Sequence, residues 1–209
     1  MANSETEIVN SALAKVGEDS ITDLTENRKA ARVSARQYPL MRDALIRRYR
    51  WNFAIRRVTL SPEAATPAFG FTNQFLVPSD NIRVLGIFDE DELQQNYTAS
   101  RIPYKVEGNK ILTDDDTLPL FYLARITDVA LFDPLFSEAL AWFLAIDLAI
   151  PLTTVRKLRE DAVIGFKKAV LAAKRADAIE GSPEVIESSE WLDSRHAGFT
   201  PFRPGPIVF

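Results

Sequence analysis

Apolar positions follow a helical period near both ends of the chain and a strand period in its middle. In the first segment they recur at intervals of three or four residues, at Ile8, Val9, Ala12, Leu13 and Val16. Ser4 and Glu7 have the spacing of a capping box, which marks a helix start, and Gly17 is a typical helix stop. The pattern predicts a first helix over about residues 5–16.

A second, longer helix is predicted over about residues 26–49. Its expected buried face has the same period, at Ala31, Ala35, Tyr38, Met41, Leu45 and Tyr49. Most arginines of the segment lie off that face. Pro39 lies inside the pattern, where proline removes a backbone donor and clashes with the carbonyl of Ala35. We therefore expect a kink or a break at Pro39.

Between residues 54 and 126, prolines separate short runs of residues that favour β-structure. The candidate strands are residues 55–60, 71–77, 82–88, 104–107, 110–113 and 118–124. Gly108 and Asn109 suit a two-residue hairpin turn between two of them. The segment predicts a small antiparallel sheet inserted between helices, with the acidic runs 89–92 and 114–116 as its solvated loops.

Helical patterning returns after Asp133 and Pro134, which suit an N-cap and the first helical position. The third helix, ended by Pro151, is apolar nearly all round, and we expect at least two of Trp142, Phe143 and Leu144 to be fully buried. Its longest apolar stretch, residues 139–150, is too short to cross a bilayer, so we expect no membrane partner. A fourth helix is predicted over residues 154–178.

The last residues combine prolines with large apolar side chains, which indicates an extended arm that docks on a partner. The predicted fold is α+β. An antiparallel helical bundle (residues 1–53 and 127–181) carries an inserted small antiparallel β-domain (54–126) and an extended C-terminal arm (182–209).

Charge is distributed unevenly along the chain, whose formal net charge is −4. Residues 28–57 hold ten basic residues and one acid, a formal charge of +9. The remaining fifteen basic and 28 acidic residues give −13. Such a pattern fits a nucleic-acid face or copies of the chain that dock positive face to negative face. The overall acidity favours the second, because proteins that wrap duplex DNA are usually basic.

The composition excludes several kinds of chemistry. The chain has no cysteine and one histidine, His196, so thiol catalysis, thiolate metal sites and sites built on two histidines are excluded. His196 lacks a nucleophile elbow or a triad pattern around it. The acidic runs lack the spacing of a cation loop. We therefore expect no catalytic, cofactor-binding or metal-binding residues, no cofactor and no enzymatic activity.

Residues 47–53 interleave arginines with aromatic side chains. This combination occurs in nucleic-acid-binding elements and also at protein interfaces. We favour the second, with Trp51 and Phe53 anchoring the helix-to-sheet junction in the core and Arg47, Arg48 and Arg50 facing an adjacent subunit or another protein.

The order of short motifs along the chain resembles the head-to-tail adaptors (tail tubular protein A type) of short-tailed, podovirus bacteriophages. The motifs comprise residues 10–17, 38–45, 51–54 with Arg56 and Arg57, 127–128, 132–136, 138–140, 144–153 and 189–195. The resemblance implies a non-enzymatic structural protein of the virion neck or tail, made in the host cytoplasm. It implies a ring of twelve copies between the portal and the tail nozzle protein, with genomic DNA passing through the lumen without sequence-specific binding.

On this interpretation the arm and the basic segment face other subunits or the portal. The expected interface residues are Arg47, Arg48, Arg50, Arg195, Phe199, Phe202, Arg203, Ile207 and Phe209. Two alternatives remain open: a nucleic-acid-binding module using residues 28–57, and a cell-wall hydrolase associated with the phage tail, since some relatives are reported to degrade cell-wall polymers.

Overall fold

The computed structural model describes residues 4–87 and 103–180, and within these ranges the fold is α+β, as predicted. The α-helices are α1 Glu5–Lys15, α2 Lys29–Arg48, α3 Pro134–Thr153 and α4 Arg156–Glu180. The strands are β1 Ile55–Leu60, β2 Asn73–Leu76, β3 Asn81–Ile87, β4 Lys105–Glu107, β5 Lys110–Thr113 and β6 Leu118–Ala124. Two 3-10 turns, Asn52–Ala54 and Val129–Leu131, join the helices to the strands. The predicted arm and the acidic run at 89–92 lie outside the described residues.

The predicted helix ends are set by local hydrogen bonds. Ser4 Oγ accepts a hydrogen bond from the Glu7 N–H at 3.2 Å and caps α1. Gly17 follows this helix with φ +76°, a conformation that glycine adopts without steric cost. At the start of α3, Asp133 Oδ1 accepts from the backbone N–H groups of Leu135 and Phe136, as predicted.

Helix α3 is the centre of the bundle, since it packs against α4, α1 and α2. It is longer than the sequence indicates, because it runs through Pro151 to Thr153 instead of ending at the proline. At 20 residues and with a mean hydropathy of 1.7 over its most apolar window, it is long and apolar enough to cross a membrane. The expectation of a segment too short to span is therefore wrong for this helix, half of whose apolar window is buried inside the protein.

Helix α2 also contains its proline without a break, so the expected interruption at Pro39 is wrong. Because proline has no backbone N–H, the Ala35 carbonyl has no helical donor at Pro39. Both residues are exposed, so water can donate a hydrogen bond to that carbonyl instead. The buried stripe is also rotated from the predicted one. Ala35 is exposed, whereas Ser34 and Arg42 are buried.

Two three-stranded antiparallel sheets form the β-region, rather than the single sheet that was predicted. The first has the order β1-β6-β3 and the second β2-β5-β4. Strand β6 is the central strand of the first sheet, and nearly every residue in it is buried. The predicted hairpin between β4 and β5 is confirmed, with Gly108 at φ +59°.

The helices and both sheets share one hydrophobic core, to which Trp51, Phe75, Leu120 and Leu140 all belong. The division into a bundle and an inserted domain stays a prediction. Among the described elements, the only substantial packing of a helix on a strand is between α2 and β3. The sheets therefore extend beyond the end of the bundle where α2 ends and α3 begins.

The expectation that at least two of Trp142, Phe143 and Leu144 are fully buried is wrong, because only Leu144 is. Trp142 and Phe143 are half-buried on the side of α3 that faces α4. Phe143 stacks on Phe166 with ring centroids 4.8 Å apart. Trp142 lies over Gly165, where an added Cβ would be 2.5 Å from the indole ring.

Candidate interface surface

The junction between α2 and β1 is fixed by buried groups. Trp51 is 1% exposed, and its Nε1–H donates to the Leu45 carbonyl at 3.0 Å. Its ring makes an edge contact with Phe136, at a centroid distance of 5.0 Å. Phe53 is half-buried and packs on the same phenylalanine. The prediction that Trp51 and Phe53 anchor this junction in the core is confirmed.

The end of α4 holds the junction from the other side. Asp177 Oδ1 accepts a hydrogen bond from the Asn52 N–H at 2.9 Å, and the Asp177 carbonyl accepts one from Asn52 Nδ2 at 2.6 Å. Burial raises the pKa of the Asp177 carboxyl, and the Asn52 hydrogen bond opposes that rise. The arginines that flank this junction therefore project from a rigid part of the molecule.

Exposed arginines surround this junction, and we call five of them, Arg47, Arg48, Arg50, Arg57 and Arg83, the arginine surface. Arg47 donates to the Ile82 carbonyl at the start of β3, and Arg83 Nη1 is 3.5 Å from the Arg47 carbonyl. These contacts join the end of α2 to β3. Arg47 and Arg48 also lie in the last turn of α2, where cations offset the partial negative charge of the helix end.

Aromatic rings orient the other guanidinium groups of the arginine surface. Arg50 and Arg57 both lie over the Phe121 ring, at 5.8 Å and 5.3 Å from its centroid. Arg48 lies 5.9 Å from the centroid of Tyr49, whose ring also contacts the Lys174 ammonium at 4.8 Å. Such contacts between a cation and an aromatic ring orient the cation.

Among the described residues, Arg47, Arg48 and Arg50 form no ion pair with an acid. In the first half of the basic segment, Arg28 pairs with Asp19 and Glu26 at 3.8 Å and 3.6 Å. Lys29, Arg32 and Arg36 of that half are exposed and, like the three arginines, form no ion pair with a described acid. Pairing therefore removes only part of the charge of the segment, and Arg47, Arg48 and Arg50 belong to the part that remains for a partner.

Sequence reasoning missed a buried cation in α2. Arg42 is 6% exposed, and it pairs with Asp43 at 2.9 Å and with Glu5 at 3.7 Å. Asp43 in turn pairs with Arg125 after β6, at 2.8 Å. The pattern offered one signal, since Arg42 lies four residues after the buried Tyr38 on the same helix face.

Tyr38 lies beside this network, and its hydroxyl has no hydrogen-bond partner among the described residues. Burial raises the pKa of Tyr38, and the negative charge of Glu5 adds to the effect while Arg42 opposes it. The Arg42 guanidinium is 5.9 Å from the ring centroid. The group therefore joins α1, α2 and the segment after β6, and acts within the fold rather than at its surface.

The acidic run 114–116 is exposed, as predicted, and has a structural part in its turn. Asp114 Oδ1 accepts from the Thr72 N–H at 2.9 Å, and the Asp115 carbonyl accepts from Asn73 Nδ2 at 3.0 Å. In residues 4–87 and 103–180, no group of three or more acidic or histidine side chains is arranged to hold a metal ion.

No protein-family model and no curated protein matches this chain. The remaining predicted interface residues, Arg195, Phe199, Phe202, Arg203, Ile207 and Phe209, lie outside the described residues.

Proposed function

We propose that this chain is a non-enzymatic structural protein of a phage virion, a head-to-tail adaptor. In this proposal, copies form a homo-oligomeric ring of twelve subunits between the portal protein and the tail nozzle protein. The ring lines part of the DNA ejection channel and belongs to the virion neck or tail, after synthesis in the host cytoplasm.

One observation carries the proposal: Arg47, Arg48 and Arg50 are exposed, and they have no acidic partner among the described residues. The first and last of them are held in place by the Ile82 carbonyl and by the Phe121 ring. Oriented cations of this kind favour an external anionic partner, because less side-chain entropy is lost when they bind.

The acidic remainder of the chain supplies such a partner in a second copy. Residues outside 28–57 carry a formal charge of −13, against +9 within that segment. A ring is built from heterologous contacts, in which one face of a subunit meets a different face of the next. In this proposal, the basic segment of one copy meets acidic residues of the next, which fits a heterologous contact.

Charge reversal tests the proposal. We expect the triple variant Arg47→Glu, Arg48→Glu, Arg50→Glu to stay folded and to lose ring assembly, or attachment to portal rings, in electron micrographs at moderate salt. A matched control reverses the same charge on the exposed side of α4, at Lys167, Lys168 and Arg175. Normal assembly by the triple variant would contradict this role of the arginines.

The same arginines favour nucleic-acid binding as a second candidate function. Exposed arginines beside aromatic rings bind phosphates and stack on bases. A phosphate-binding surface loses affinity steeply as salt rises, with a slope near −0.9 per phosphate contact on duplex DNA. Tight binding of free DNA with such a slope, together with intact rings in the triple variant, would favour this function over the adaptor.

A further inference from the structure

The loop before β2 exposes an aromatic side chain to water. Phe69 is 88% exposed, the largest value among the big apolar side chains of the described residues. Pro67 restricts the chain before it, and Gly70 follows with φ +92°. We call residues 67–71 the Phe69 loop. In water the Phe69 ring forgoes the stabilisation that burial gives, so a partner that covers the ring would gain that stabilisation.

An excess of negative charge lies beside the Phe69 loop. Thr72, which follows the loop, is hydrogen-bonded to Asp114 of the acidic run 114–116. The nearby lysines are neutralised, since Lys110 pairs with Glu63 at 2.8 Å and Lys105 with Glu107 at 2.7 Å. No ion pair with a described cation involves the acidic run. The loop therefore presents an exposed phenylalanine ring next to the carboxylates of the acidic run.

A groove of the opposite character lies where α3 meets α4. It has an open volume of about 460 Å³ and is lined by Ile150, Arg156, Arg159, Glu160 and Val163. Ile150 is 40% exposed, so part of the wall is apolar. Arg156 and Arg159 form no ion pair with a described acid, and they outnumber the one acid in the groove. The N-terminal end of α4 adds partial positive charge there.

The loop and the groove lie at opposite ends of the molecule. Leu60 at the end of β1 pairs with Leu118 at the start of β6, so the chain on either side of these residues lies at the end of the sheet remote from the helices. The groove lies at the far end of the bundle, because α3 runs about 30 Å from Pro134 beside the junction to its C-terminal end. One copy cannot place its own loop in its own groove.

We propose that the Phe69 loop of one copy docks in the α3–α4 groove of a second copy. The Phe69 ring fills the apolar wall at Ile150 and Val163, and the acidic run 114–116 lies against Arg156 and Arg159. The inference deepens the proposed function and rests on it, since it names a contact between copies of a homo-oligomer. A second copy is the favoured occupant because it carries both matching features, an apolar tip and unneutralised acids.

The absence of cysteine in the sequence makes crosslinking a direct test. Two single-cysteine variants, Ala68→Cys beside Phe69 and Glu160→Cys on the groove rim, are mixed under mild oxidation, each with a tag of different mass. A disulfide forms only where the two Cα atoms approach within about 7 Å. We expect the mixed dimer to exceed both homodimers. The control pairs Ala68→Cys with Leu40→Cys, an exposed site on α2 away from the groove.

Two further variants separate docking from chance collision. Phe69→Ser in the Ala68→Cys chain should weaken the pair about tenfold or more, because it removes a buried aromatic ring. Arg156→Asp with Arg159→Asp should abolish the mixed dimer, and Asp114→Arg with Asp116→Arg in the partner should restore it.

Three outcomes would overturn the contact. A mixed dimer no more abundant than the control, in a protein that still forms rings, contradicts the loop–groove contact and leaves the adaptor function standing. A chain with Ala68→Cys and Phe69→Ser that crosslinks as well as the chain with Ala68→Cys alone also contradicts the contact and leaves the adaptor function standing. A chain that stays monomeric at every concentration, alone and with portal, contradicts both the contact and the proposed function.

Discussion

At the residue scale, Gly165 of α4 lies directly against the indole ring of Trp142 in α3. A Cβ added at Gly165 would lie 2.5 Å from the indole Cε3 atom, and other ring atoms lie nearly as close. The indole also contacts the Lys15 ammonium, 4.8 Å from the ring centroid, so a shift of the ring away from an added Cβ would disturb that contact as well. Only glycine therefore lets α4 pack at this distance from α3.

We expect Gly165→Ala to destabilise the protein. Overpacking costs about 1–3 kcal/mol, which exceeds or matches the roughly 1 kcal/mol that alanine gains over glycine in a helix. Urea unfolding of the variant measures the net change. The matched control is the same substitution in a Trp142→Leu chain, where the clash is removed and the change should stabilise. Stabilisation in the wild-type background would contradict the packing.

Asp177 makes stability depend on pH in a direction set by its environment. Burial raises the pKa of its carboxyl above the ordinary 3.8, so between those two values the folded state binds more protons than the unfolded state. Its contribution to stability is therefore greatest below pH 3.8 and falls as pH rises through the raised pKa. Above that pKa it is constant.

We expect Asp177→Asn to remove this dependence. The variant keeps an oxygen that accepts from the Asn52 N–H, and it has no charge to bury. The melting temperature of the wild-type chain, minus that of the variant, should fall as pH rises from about 4 and then level off. Thermal unfolding between pH 3.5 and 8 measures the difference, with Asp177→Ala as the control that loses the acceptor. A difference that is flat across this range would contradict the burial of the carboxylate.

At the scale of elements, local chemistry made several boundaries predictable. Strands β1, β5 and β6 have the predicted bounds, because turn residues flank short β-forming runs. The helix starts at Glu5 and Pro134 also match, since each has a cap that satisfies backbone donors next to it in sequence. Where the deciding contacts are local, the sequence alone is sufficient.

The errors arise where contacts distant in sequence decide. Pro39 and Pro151 remain inside their helices because tertiary packing stabilises both helices and each proline is exposed. The buried face of α2 includes Arg42, because Glu5 and Asp43 neutralise it. No pattern within α2 shows that Glu5 lies close by.

The Arg42 group can be tested as a contact between elements. We expect Arg42→Met to destabilise the protein by about 1–3 kcal/mol, because it leaves Asp43 and Glu5 with less neutralisation in a part-buried site. The cost stays below that of a fully buried broken pair, since Asp43 keeps Arg125. Arg36→Met, on the exposed side of α2, is the control and should change stability by less than about 0.5 kcal/mol. Equal effects of the two substitutions in urea unfolding would contradict the role of Arg42.

At the scale of the whole molecule, the sequence located the basic segment but not the part of it that is available to a partner. Counting charges treats Arg28, Arg42 and Arg47 alike. In the fold, the first two are paired with acids, and Arg47 is left to the Ile82 carbonyl. The sequence also does not show that the Phe69 loop and the α3–α4 groove lie at opposite ends of the molecule, because their positions depend on the direction in which the first sheet extends from the bundle.

Both proposed contacts include ion pairs, but only the contact of the Phe69 loop also buries an aromatic ring, and this difference gives a last prediction about assembly. Contacts of Arg47, Arg48 and Arg50 with acids are screened as the Debye length falls from about 10 Å at 0.1 M ionic strength towards 3 Å at 1 M. Burial of Phe69 is instead strengthened by sulfate, which is excluded from apolar surfaces. We therefore expect sodium chloride to dissociate assemblies of the wild-type chain, and sodium sulfate at equal ionic strength to dissociate them less. Sedimentation velocity measures the extent of assembly in each salt.

Two sets of variants separate the contributions of the two contacts. Phe69→Ser should abolish the difference between the two salts, while replacing Arg47, Arg48 and Arg50 by glutamine should leave weaker assemblies with a smaller response to chloride. If the glutamine variant and the wild-type chain have the same chloride dependence, the arginine surface does not hold the subunits together.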